Sequence, residues 1–469
     1  MTELAVDTTE IEGLLVLTLP VHGDSRGWFK ENWQRAKMTA LGLPDFAPVQ
    51  NNVSFNGEVG VTRGIHAESW DKLVSVTTGR VFGAWVDLRE GDGFGRVVSV
   101  EVGPGTAVFV PRGVGNAYQT LEPGTAYSYL VNEHWSAAAR ASYTFLNLAD
   151  ETAAIRWPIP LEQTERSEAD LAHPRLAEVM PFAPRRSVVL GAGGQLGREL
   201  VRLLPDALAL TRADLDLARL ATDPSAAEAV DWAGVDVVYN AAAHTAVDAA
   251  ETEDGRREAW ATNVTGLAAL VELCRRHRIT LVHISSDYVF DGAREVHDED
   301  EQLSPLGVYG QTKAAGDLLV TSLPQHHVLR TSWVIGDGPN FVATMARLAD
   351  RGVSPSVVSD QVGRLTFAAD LARAAVHLVT SDAAPGVYDV SCSGPSVSWA
   401  DLAADVFEAR GRARSDVTPV TTEEYAAGKP QAPRPRHSTL ALEKIEATGF
   451  VPADGADALA AYLSTLAPA

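Results

Sequence analysis

Two patterns of apolar residues divide the chain. Over the first 150 residues, short apolar runs of strand length alternate with turn residues, as in GLLVLTLP, KLVSVTTG, VFGAWVDL and TAVFVP. From Ser187 onward, short apolar runs alternate with longer alanine-rich segments, as in DVVYNAA, REAWATNVTGLAALVELCRRHR and ITLVHISS. The first pattern predicts an all-β domain, and the second predicts an α/β domain built on a parallel sheet.

The change of pattern falls near the segment RLAEVMPFAPRR, which carries two prolines and a basic pair. Prolines and polar residues of this kind are typical of domain boundaries. We therefore predict one domain over residues 1–180, a linker over 181–186 and a second domain over 187–469. The chain length of 469 residues agrees with this division, because it exceeds what one hydrophobic core organises.

Composition narrows the class of protein. Apolar residues make up 46% of the chain, as expected for a globular protein, and the formal charge of −22 argues against binding to nucleic acid or to an anionic membrane. No basic leader precedes an apolar run, and no uncharged stretch approaches membrane-spanning length. The two cysteines, Cys274 and Cys392, lie in unrelated contexts. We expect a soluble cytoplasmic protein without disulfides.

A glycine-rich turn, GAGGQLG, follows the apolar stretch VVL at the start of the second domain. Its spacing is GxxGxxG and differs from the GxGxxG of many dehydrogenases. Glycines in such a turn let the backbone approach a pyrophosphate, which the N-terminus of the following helix then attracts. The strand-like residues before the turn and the helical QLGRELVRLL after it predict a βαβ unit that binds a dinucleotide.

A second motif in this domain carries acid–base chemistry. Tyr309 and Lys313 are four residues apart in YGQTK, so they share one face of a predicted helix. An ammonium beside a phenol lowers the pKa of the phenol, which would let Tyr309 donate a proton to a developing alkoxide. Ser286 lies at a predicted strand end and could hydrogen-bond the same carbonyl.

From Ser187 nearly to the C-terminus, the chain resembles the extended short-chain dehydrogenases and, more narrowly, the dTDP-4-dehydrorhamnose reductases. The shared motifs, in order, are GAGGQLG, NAAAHTAVDAAE, SSDYVFDG, YGQTK, RTSWV, DQVGRLT and RPRHS. The resemblance implies a Rossmann-like doubly wound parallel sheet with a small substrate-binding subdomain. It also implies Tyr309 as proton donor with Lys313 and Ser286, and Asp287 and Trp333 at the sugar. His244 and Leu365 depart from the family pattern, where a tyrosine and a proline are usual.

The choice of cofactor depends on the residues after the second predicted strand, TRADLDL. Arg212 would accept a 2′-phosphate and favours NADPH, whereas Asp214 and Asp216 leave NADH open. The residues that we expect to contact the cofactor share positions near the glycine turn or the Tyr–Lys pair. They are Gly191, Gly194, Gln195, Leu196, Gly197, Arg212, Asp216, Leu217, Ala242, Ala243, Tyr309 and Lys313.

The first domain carries a separate set of polar residues. Arg26 and Arg63 stand near glycines, which suggests anion binding, although solvated surface arginines are an equal alternative. A metal-binding barrel would require an HxH pair with a later Glu and His. This chain instead has His66 followed by Glu68, and Asn116 in the later strand. We therefore predict no metal here.

Across Thr8 to Arg175 the chain resembles the dTDP-4-dehydrorhamnose 3,5-epimerases, a family of cupin-type jelly rolls. The motifs RGIHAE, PRGVGNAYQTL, AYSYLVNEHW and IRWP occur in the family's order. The resemblance implies a general base, His66, paired with Asp150, together with Lys72 at the enolate oxygen and Tyr129 as the reprotonating acid. It implies nucleotide binding by Arg26, Glu31, Gln50, Asn52 and Arg63, and a homodimer formed through this domain.

Together the two halves suggest a bifunctional enzyme that epimerises dTDP-4-dehydro-6-deoxy-glucose and reduces the product to dTDP-L-rhamnose. Glu68, Asn116, Trp135 and Glu151 depart from the epimerase pattern, so inversion at a single carbon, giving another deoxysugar, stays open. A non-catalytic, nucleotide-sugar-binding first domain beside an active reductase is a further alternative. The acidic segment HDEDE (297–301) is expected to be a solvated loop, and Mg²⁺ stays open as a cofactor.

Overall fold

The chain divides between Pro184 and Arg185 into two units. The computed structural model describes residues 3–135, 143–381, 383–428 and 431–467. The predicted linker over 181–186 is shorter than expected, because Phe182 belongs to the first unit. Its amide donates to Leu88 O at 2.7 Å, and its carbonyl accepts from the Glu90 amide at 3.1 Å.

The first unit is a sandwich of two antiparallel sheets, as predicted for a jelly roll. A hairpin, β3 (His22–Asp24) and β4 (Gly27–Phe29), and two short helices, α1 (Arg35–Ala40) and α2 (Glu168–Leu171), accompany the sheets. In spatial order, the first sheet comprises β1 (Ala5–Thr8), β2 (Leu15–Thr18), β10 (Thr106–Val110), β7 (Lys72–Thr78), β12 (Thr125–Val131) and β5 (Gln50–Asn56). The second comprises β13 (Thr144–Phe145), β6 (Thr62–Ala67), β11 (Val114–Thr120), β8 (Val81–Asp87) and β9 (Val97–Val102).

The alternation of side chains along the strands explains this packing. In β2, Leu15 and Leu17 point to an outer cluster that includes Met38 of α1, whereas Val16 points to the core between the sheets. That inner core is anchored by Trp85 of β8, which is fully buried. Successive residues of a strand face opposite sides, so β2 contributes to two layers.

The second unit contains the predicted parallel sheet, and the predicted fold class is confirmed. Its six parallel strands are, in spatial order, β15 (Leu208–Leu210), β14 (Arg186–Leu190), β16 (Val235–Asn240), β17 (Thr280–Ile284), β18 (His326–Thr331) and β23 (Gly386–Val390). The helices α3 (Gln195–Leu203), α4 (Leu217–Leu220), α5 (Glu253–Trp260), α6 (Leu267–His277), α7 (Val308–Val320), α9 (Ala368–Thr380) and α12 (Glu443–Glu446) follow in chain order.

Both faces of this sheet are covered, which explains why its strands are continuous apolar runs. In β14, Val188 and Leu190 pack into one core cluster with residues of α6, and Val189 packs into the other with residues of α3 and α9. A π-helical turn over Ala261–Gly266 joins α5 to α6.

A smaller subdomain with its own core follows the sheet. Its helices are α8 (Phe341–Asp350), α10 (Trp399–Ala409), α11 (Thr422–Ala426) and α13 (Gly455–Thr465). Its short strands are β19 (Val334–Ile335), β20 (Ser356–Val358), β21 (Val362–Gly363), β22 (Thr366–Phe367), β24 (Val397–Ser398), β25 (Thr418–Val420) and β26 (His437–Ser438). Among the described residues of the whole chain, no helix is long and apolar enough to cross a membrane.

Candidate active sites

A pocket of about 200 Å³ opens inside the first unit, with walls from both sheets. His66 and Arg63 reach it from β6, Lys72 from β7 and Tyr129 from β12. These four predicted residues therefore come together although 66 positions separate the first from the last. The pocket is also lined by Ser54, Gly64, Glu68, Asn116, Tyr118 and Tyr127.

His66 has a carboxylate partner, but the partner is Asp170. The His66 Nε2 lies 3.2 Å from Asp170 Oδ1, and the Asp170 side chain is 7% exposed. Burial opposes ionisation of Asp170, yet hydrogen bonds from His66 and Ser167 outweigh it and hold the pKa of this carboxyl below its ordinary value. A carboxylate in this position orients the imidazole ring.

The predicted pairing of His66 with Asp150 is wrong. Asp150 is also buried, but its carboxylate accepts backbone hydrogen bonds from Thr152 (2.9 Å), Ala153 (2.7 Å) and Leu176 (2.7 Å). It therefore holds a turn and a neighbouring segment together. The residue that does pair with His66, Asp170, is the last residue of the segment SEAD. This segment is a helix-capping pattern, in which the Ser167 side chain accepts a hydrogen bond from the Asp170 amide at 3.1 Å.

Lys72 forms a buried ion pair with Glu68, one of the departures from the family pattern. The Lys72 ammonium also stands 5.8 Å from the ring centre of Tyr129. Burial, and the negative charge of Glu68 next, raise the pKa of Tyr129, so its phenol is protonated at neutral pH. The pocket thus holds a cation, a paired carboxylate and a protonated phenol around one space.

An aromatic wall that the sequence did not indicate supports these groups. The rings of Tyr118 and Tyr127 stack at 4.1 Å, and the Tyr127 hydroxyl donates to Asn116 Oδ1 at 2.9 Å. Asn116, another departure, therefore anchors a tyrosine. His173 lies beside His66 with ring centres 5.4 Å apart.

Four of the predicted nucleotide-binding residues lie outside the described pocket lining. Arg26 is in the exposed β3–β4 hairpin and pairs with Asp24, while Glu31 pairs with Lys37 at 2.6 Å. On β5, Gln50 donates to Asn52 at 2.8 Å. Gln50 and Asn52 project to the same side of β5 as the pocket residue Ser54, because the three alternate with exposed residues.

One group in the described part of the chain has metal-ligand chemistry. A nitrogen of His66, an oxygen of Asp170 and a nitrogen of His173 lie within 4.8 Å of one another. The absence of a metal stays a prediction.

In the second unit, the carboxyl ends of the parallel strands meet at one edge of the sheet and form a cleft. Two adjoining cavities, of about 570 and 410 Å³, lie along it. The larger holds Ser286, Asp287, Tyr309, Lys313 and Trp333, and the smaller holds Arg212, Asp216 and Leu217. Gly194, Ala242 and Ala243 line both. Gln195 and Leu196 line the larger cavity, and Gly191 the smaller.

The glycine turn requires glycine at two positions. A Cβ on Gly191, whose φ is +74°, would lie 2.8 Å from the Ala242 nitrogen, and a Cβ on Gly197 would lie 2.1 Å from Gly191 O. The helix α3 begins directly after Gly194, with no side chain capping it. Its first-turn amides and positive dipole end are thus directed at the cleft, as a pyrophosphate requires. The residues present fit a dinucleotide.

Tyr309 is half-buried in this cleft and lies against Ser286 and Tyr288. Burial and the nearby Asp287 raise the pKa of Tyr309, and a hydrogen bond with Ser286 lowers it by less. The expected lowering of this pKa by Lys313 is wrong, because the Lys313 ammonium donates to Ile284 O at 2.6 Å and turns toward His283. A raised pKa keeps the phenol protonated at neutral pH, which suits a proton donor.

Lys313 and Asp287 are both titratable near neutral pH. Burial lowers the pKa of Lys313 to about 8, and Asp317 one helical turn away opposes this. Burial raises the pKa of Asp287 to about 6, against hydrogen bonds from Ser438 and Ser286. Perturbed groups in a cleft are typical of functional sites.

The acidic residues near Arg212 are occupied by local structure. Asp214 Oδ2 accepts from the amide and hydroxyl of Thr211 at 2.9 and 2.7 Å. Asp216 caps α4 by accepting from the Ala218 amide at 3.0 Å. The Arg212 side chain is 82% exposed and lies 3.3 Å from Asp216. The arginine is thus the group that remains available at the mouth of the smaller cavity.

Other motif residues of the second unit form close contacts with one another. Trp333 adopts a φ of +47° and stacks on Trp399 with ring centres 3.6 Å apart. Arg434 of RPRHS forms two hydrogen bonds of 2.9 Å with Asp248 of NAAAHTAVDAAE. Trp399 lines the cavity and was not anticipated, because nothing in its local sequence marks it.

Asn263, also unanticipated, holds the loop behind the cofactor cleft. Its side chain bonds the backbone of His244 in both directions, at 2.8 and 3.0 Å, and donates to Thr312 at 3.0 Å. It lies in the π-helical turn, a feature that helical periodicity does not reveal.

The expectation that HDEDE is simply a solvated loop is wrong for its first and last residues. His297 is fully buried, stacks on Phe290 at 4.6 Å and contacts Glu301 at 2.9 Å. Leu365 packs in the core of the subdomain, so its departure from the family pattern is structural.

Comparison with known proteins assigns each unit separately. The family model described as RmlD substrate binding domain matches residues 185–467, and the one described as dTDP-4-dehydrorhamnose 3,5-epimerase matches residues 8–178. The Protein RmlC homolog of Streptococcus pyogenes serotype M6 is 48% identical over 181 residues, which are 38% of this chain and 91% of that protein.

The second unit is similar to dTDP-4-dehydrorhamnose reductases. That of Aggregatibacter actinomycetemcomitans is 38% identical over 290 residues, covering 58% of this chain and 97% of that protein. The crystal structure of the Bacillus anthracis reductase in complex with NADP is 31% identical, with a TM-score of 0.54, over 60% of this chain and 99% of that one. The chain therefore belongs to the dTDP-4-dehydrorhamnose 3,5-epimerase family through its first unit and to the RmlD-type dTDP-4-dehydrorhamnose reductase family through its second.

Proposed function

We propose that this chain is a bifunctional enzyme that converts dTDP-4-dehydro-6-deoxy-glucose to dTDP-L-rhamnose. The observation that carries the proposal is that each unit holds its own acid–base site. The first has His66, Asp170, Lys72 and Tyr129 around a pocket, and the second has Ser286, Tyr309 and Lys313 in a cleft with a glycine turn.

The first site has the groups that epimerisation beside a ketone needs. A ketone acidifies both neighbouring carbons, so a base can remove a proton from either one and leave an enolate. His66, oriented by Asp170, is that base, and the Lys72 ammonium stabilises the enolate oxygen. Tyr129 stands on the opposite sheet, so it returns the proton from the other face and inverts the carbon. Inversion at both carbon 3 and carbon 5 uses these same groups.

The second site has the groups that reduction of the remaining ketone needs. The protonated phenol of Tyr309 gives its proton to the sugar oxygen, and the Ser286 hydroxyl hydrogen-bonds the same oxygen. Asp287 and Trp333 contact the sugar. Gly191, Gly194, Gly197 and the start of α3 would hold a nicotinamide dinucleotide, which supplies the hydride.

We propose NADPH as the preferred cofactor. Arg212 is exposed at the mouth of the smaller cavity, while Asp214 and Asp216 are occupied by Thr211 and by the start of α4. An exposed guanidinium favours a 2′-phosphate, and an available carboxylate would favour a ribose diol. The reductase of known structure with NADP supports the same choice.

We also propose that the protein is a homodimer through its first unit. The strand β5 ends its sheet and turns Val53 and Phe55 outward, with 63% and 67% of these side chains exposed. Exposed apolar edge strands are usually covered by another chain. We place the enzyme in the cytoplasm, because Cys274 and Cys392 are both buried and free.

The test uses two single variants of the whole chain, each the control for the other. Wild-type enzyme with dTDP-4-dehydro-6-deoxy-glucose and NADPH in D₂O should oxidise NADPH and yield dTDP-L-rhamnose with deuterium at carbons 3 and 5. His66→Ala should lose deuterium incorporation and, for lack of epimerised substrate, also NADPH oxidation. Tyr309→Phe should keep deuterium exchange and lose NADPH oxidation.

Addition of an independent 3,5-epimerase should restore NADPH oxidation in His66→Ala but not in Tyr309→Phe. If wild-type enzyme needs the added epimerase, the first unit only binds nucleotide sugar and the proposal fails. Deuterium at one carbon alone would indicate the single-centre alternative and another deoxysugar product.

A further inference from the structure

A buried histidine and asparagine lie beneath Lys313. His283 is in β17 and Asn240 ends the neighbouring strand β16, and 2% and 1% of their surfaces are exposed. His283 Nε2 is 3.4 Å from Lys313 Nζ, and His283 Nδ1 is 3.1 Å from Asn240 Nδ2. The three side chains form one continuous polar contact.

The orientation of the Asn240 amide follows from its second partner. The Ala242 backbone N–H donates to Asn240 at 3.1 Å, and only the amide oxygen can accept this bond. The amide nitrogen must then face His283 Nδ1. Because this nitrogen carries only donors, His283 Nδ1 must be the acceptor and carry no proton.

The tautomer of His283 is therefore fixed. A neutral imidazole with a bare Nδ1 carries its proton on Nε2, the atom that faces Lys313. An Nε2–H group repels an ammonium and donates well to an uncharged amine. We infer that His283, oriented by Asn240, is a positioning residue of the reductase site that holds Lys313 and favours its uncharged form.

The titratable and charged groups around Lys313 come from four segments of the second unit. Burial, and the proximity of Lys313 next, keep the pKa of His283 well below its ordinary value, so His283 stays neutral. Asp317, on the same helix as Lys313, acts in the opposite direction and favours the ammonium. Asp317 itself is paired with Arg330 of β18 at 3.0 Å. Asp287 and Tyr309 line the cleft on the other side.

This role of His283 rests on the proposed reductase function. It adds a structural reason for the pH range over which the enzyme reduces its substrate. Lys313 is bonded on one side by Ile284 O and faces, on the other, an Nε2–H group that disfavours its ammonium form. The alkaline limit of reduction is then set by the histidine–asparagine pair as well as by burial. Ala242, the outer end of the contact, lines the cofactor cleft.

The first test is the tautomer itself, which needs no activity. In the ¹⁵N-histidine-labelled whole chain, long-range ¹H–¹⁵N spectra distinguish the two ring nitrogens. The His283 signal is assigned by its loss in His283→Gln or by its contact with the Lys313 side chain. We expect the Nε2–H form with no titration between pH 5 and 9. An Nδ1–H form or a titrating ring overturns the inference.

The second test is the pH profile of NADPH oxidation on epimerised substrate. Asn240→Asp keeps the acceptor for Ala242 but places a carboxylate at Nδ1, which moves the ring proton to Nδ1 and turns a lone pair toward Lys313. The pKa of Lys313 should then rise, and the alkaline limb of the profile, where the rate falls with increasing pH, should move up by about one pH unit. His283→Gln, which can offer Lys313 an oxygen without adding a charge, should move it in the same direction.

His327→Gln is the matched control. His327 is a buried histidine in the next strand, β18, where it packs against Tyr388 at 6.0 Å. This variant should leave the alkaline limb where it is in the wild type, and unfolding measured on the whole chain checks that the second unit of each variant is folded. A loss of rate with no movement of the limb in both test variants would mean that the pair is only structural. Absence of reductase activity in the wild type would instead reject the proposed function, while the tautomer would still be decided.

Discussion

Two buried aspartates of the first unit have different environments and therefore different roles. Asp170 presents its carboxylate to an imidazole, and Asp150 presents its own to three backbone amides. Burial is common to both. The identity of the hydrogen-bond donors, which the sequence does not display, separates the catalytic partner from the structural one.

Asp170→Asn should lower deuterium exchange into the sugar by about 100-fold, because the base loses the carboxylate that orients it and stabilises its charge. Reduction of epimerised substrate should be unchanged. Asp150→Asn is the comparison, since one of its accepting oxygens becomes a donor. It should destabilise the first unit by about 1 to 3 kcal/mol in denaturant unfolding while the remaining folded protein exchanges normally. The reverse pattern would restore Asp150 to the active site.

Asp287→Asn should change how the stability of the second unit depends on pH. The pKa of Asp287 is about 6 when folded and about 4 when unfolded, so the folded state binds the proton more tightly. Its contribution to stability is full below pH 4 and is lost as pH rises through 6, a change of about 3 kcal/mol. The wild type should show this loss relative to the variant in unfolding measured from pH 4 to 8.

Asp254→Asn, a change at an exposed carboxylate of the same unit, is the control and should leave that slope unchanged. If the free energy of unfolding depends on pH in the same way in the wild type and in Asp287→Asn, then Asp287 ionises normally in the folded protein.

Arg212→Ala should raise the KM for NADPH by about 10- to 100-fold, because a charge-assisted contact with the 2′-phosphate is lost. The KM for NADH should not change. Arg219→Ala removes another exposed arginine, one that pairs with Asp223 at 2.9 Å, and should affect neither cofactor. Equal losses with both cofactors in Arg212→Ala would show that the arginine contacts a part that they share.

Much of each site follows from the sequence at the level of single residues. Motifs place His66, Lys72 and Tyr129 in one pocket, and Tyr309 and Ser286 in one cleft. What motifs miss are partners supplied from distant segments with no recognisable pattern, such as Asp170 and Trp399. The Lys313 ammonium also faces away from the phenol, because the carbonyl of Ile284 offers it a hydrogen bond that i, i+4 spacing does not reveal.

At the scale of elements, periodicity explains most of the fold. The residues of β2 alternate between two layers of the first unit. The apolar run of β14 is continuous because both faces of its sheet are covered by helices. The π-helical turn over Ala261–Gly266 has no such signature, since a single wide turn is too short to establish a period of its own. The glycine turn, in contrast, is visible in the sequence. Gly197 approaches Gly191 O so closely that only glycine fits at position 197.

The edge strand β5 gives a prediction at this scale. Phe55→Asp should convert a dimer to a monomer in light scattering, because a charge at an apolar interface is left without a partner. Exposed Val451 in the second unit is a control position, and Val451→Asp should leave the mass unchanged. A wild-type monomer at micromolar concentration would reject the dimer.

At the scale of the whole molecule, the position of the boundary has measurable effects. A fragment of residues 1–184 should retain epimerase exchange and unfold cooperatively. A fragment of residues 1–180 should be less stable by at least about 2 kcal/mol, because it loses the buried Phe182 side chain and its two backbone hydrogen bonds. The Arg112 guanidinium, 4.7 Å from the Phe182 ring centre, would also lose its contact. Equal unfolding midpoints would mean that residues 181–184 do not stabilise the unit.

The docking of Phe182 also limits how the two halves are joined. Only residues 183–185 lie between it and the start of β14 at Arg186. Because the ring of Pro184 fixes its φ, roughly five soft main-chain torsions connect one catalytic unit to the other. The simplest heritable way to alter the coupling between the two reactions is therefore an insertion of flexible residues at this junction, which would change neither active site.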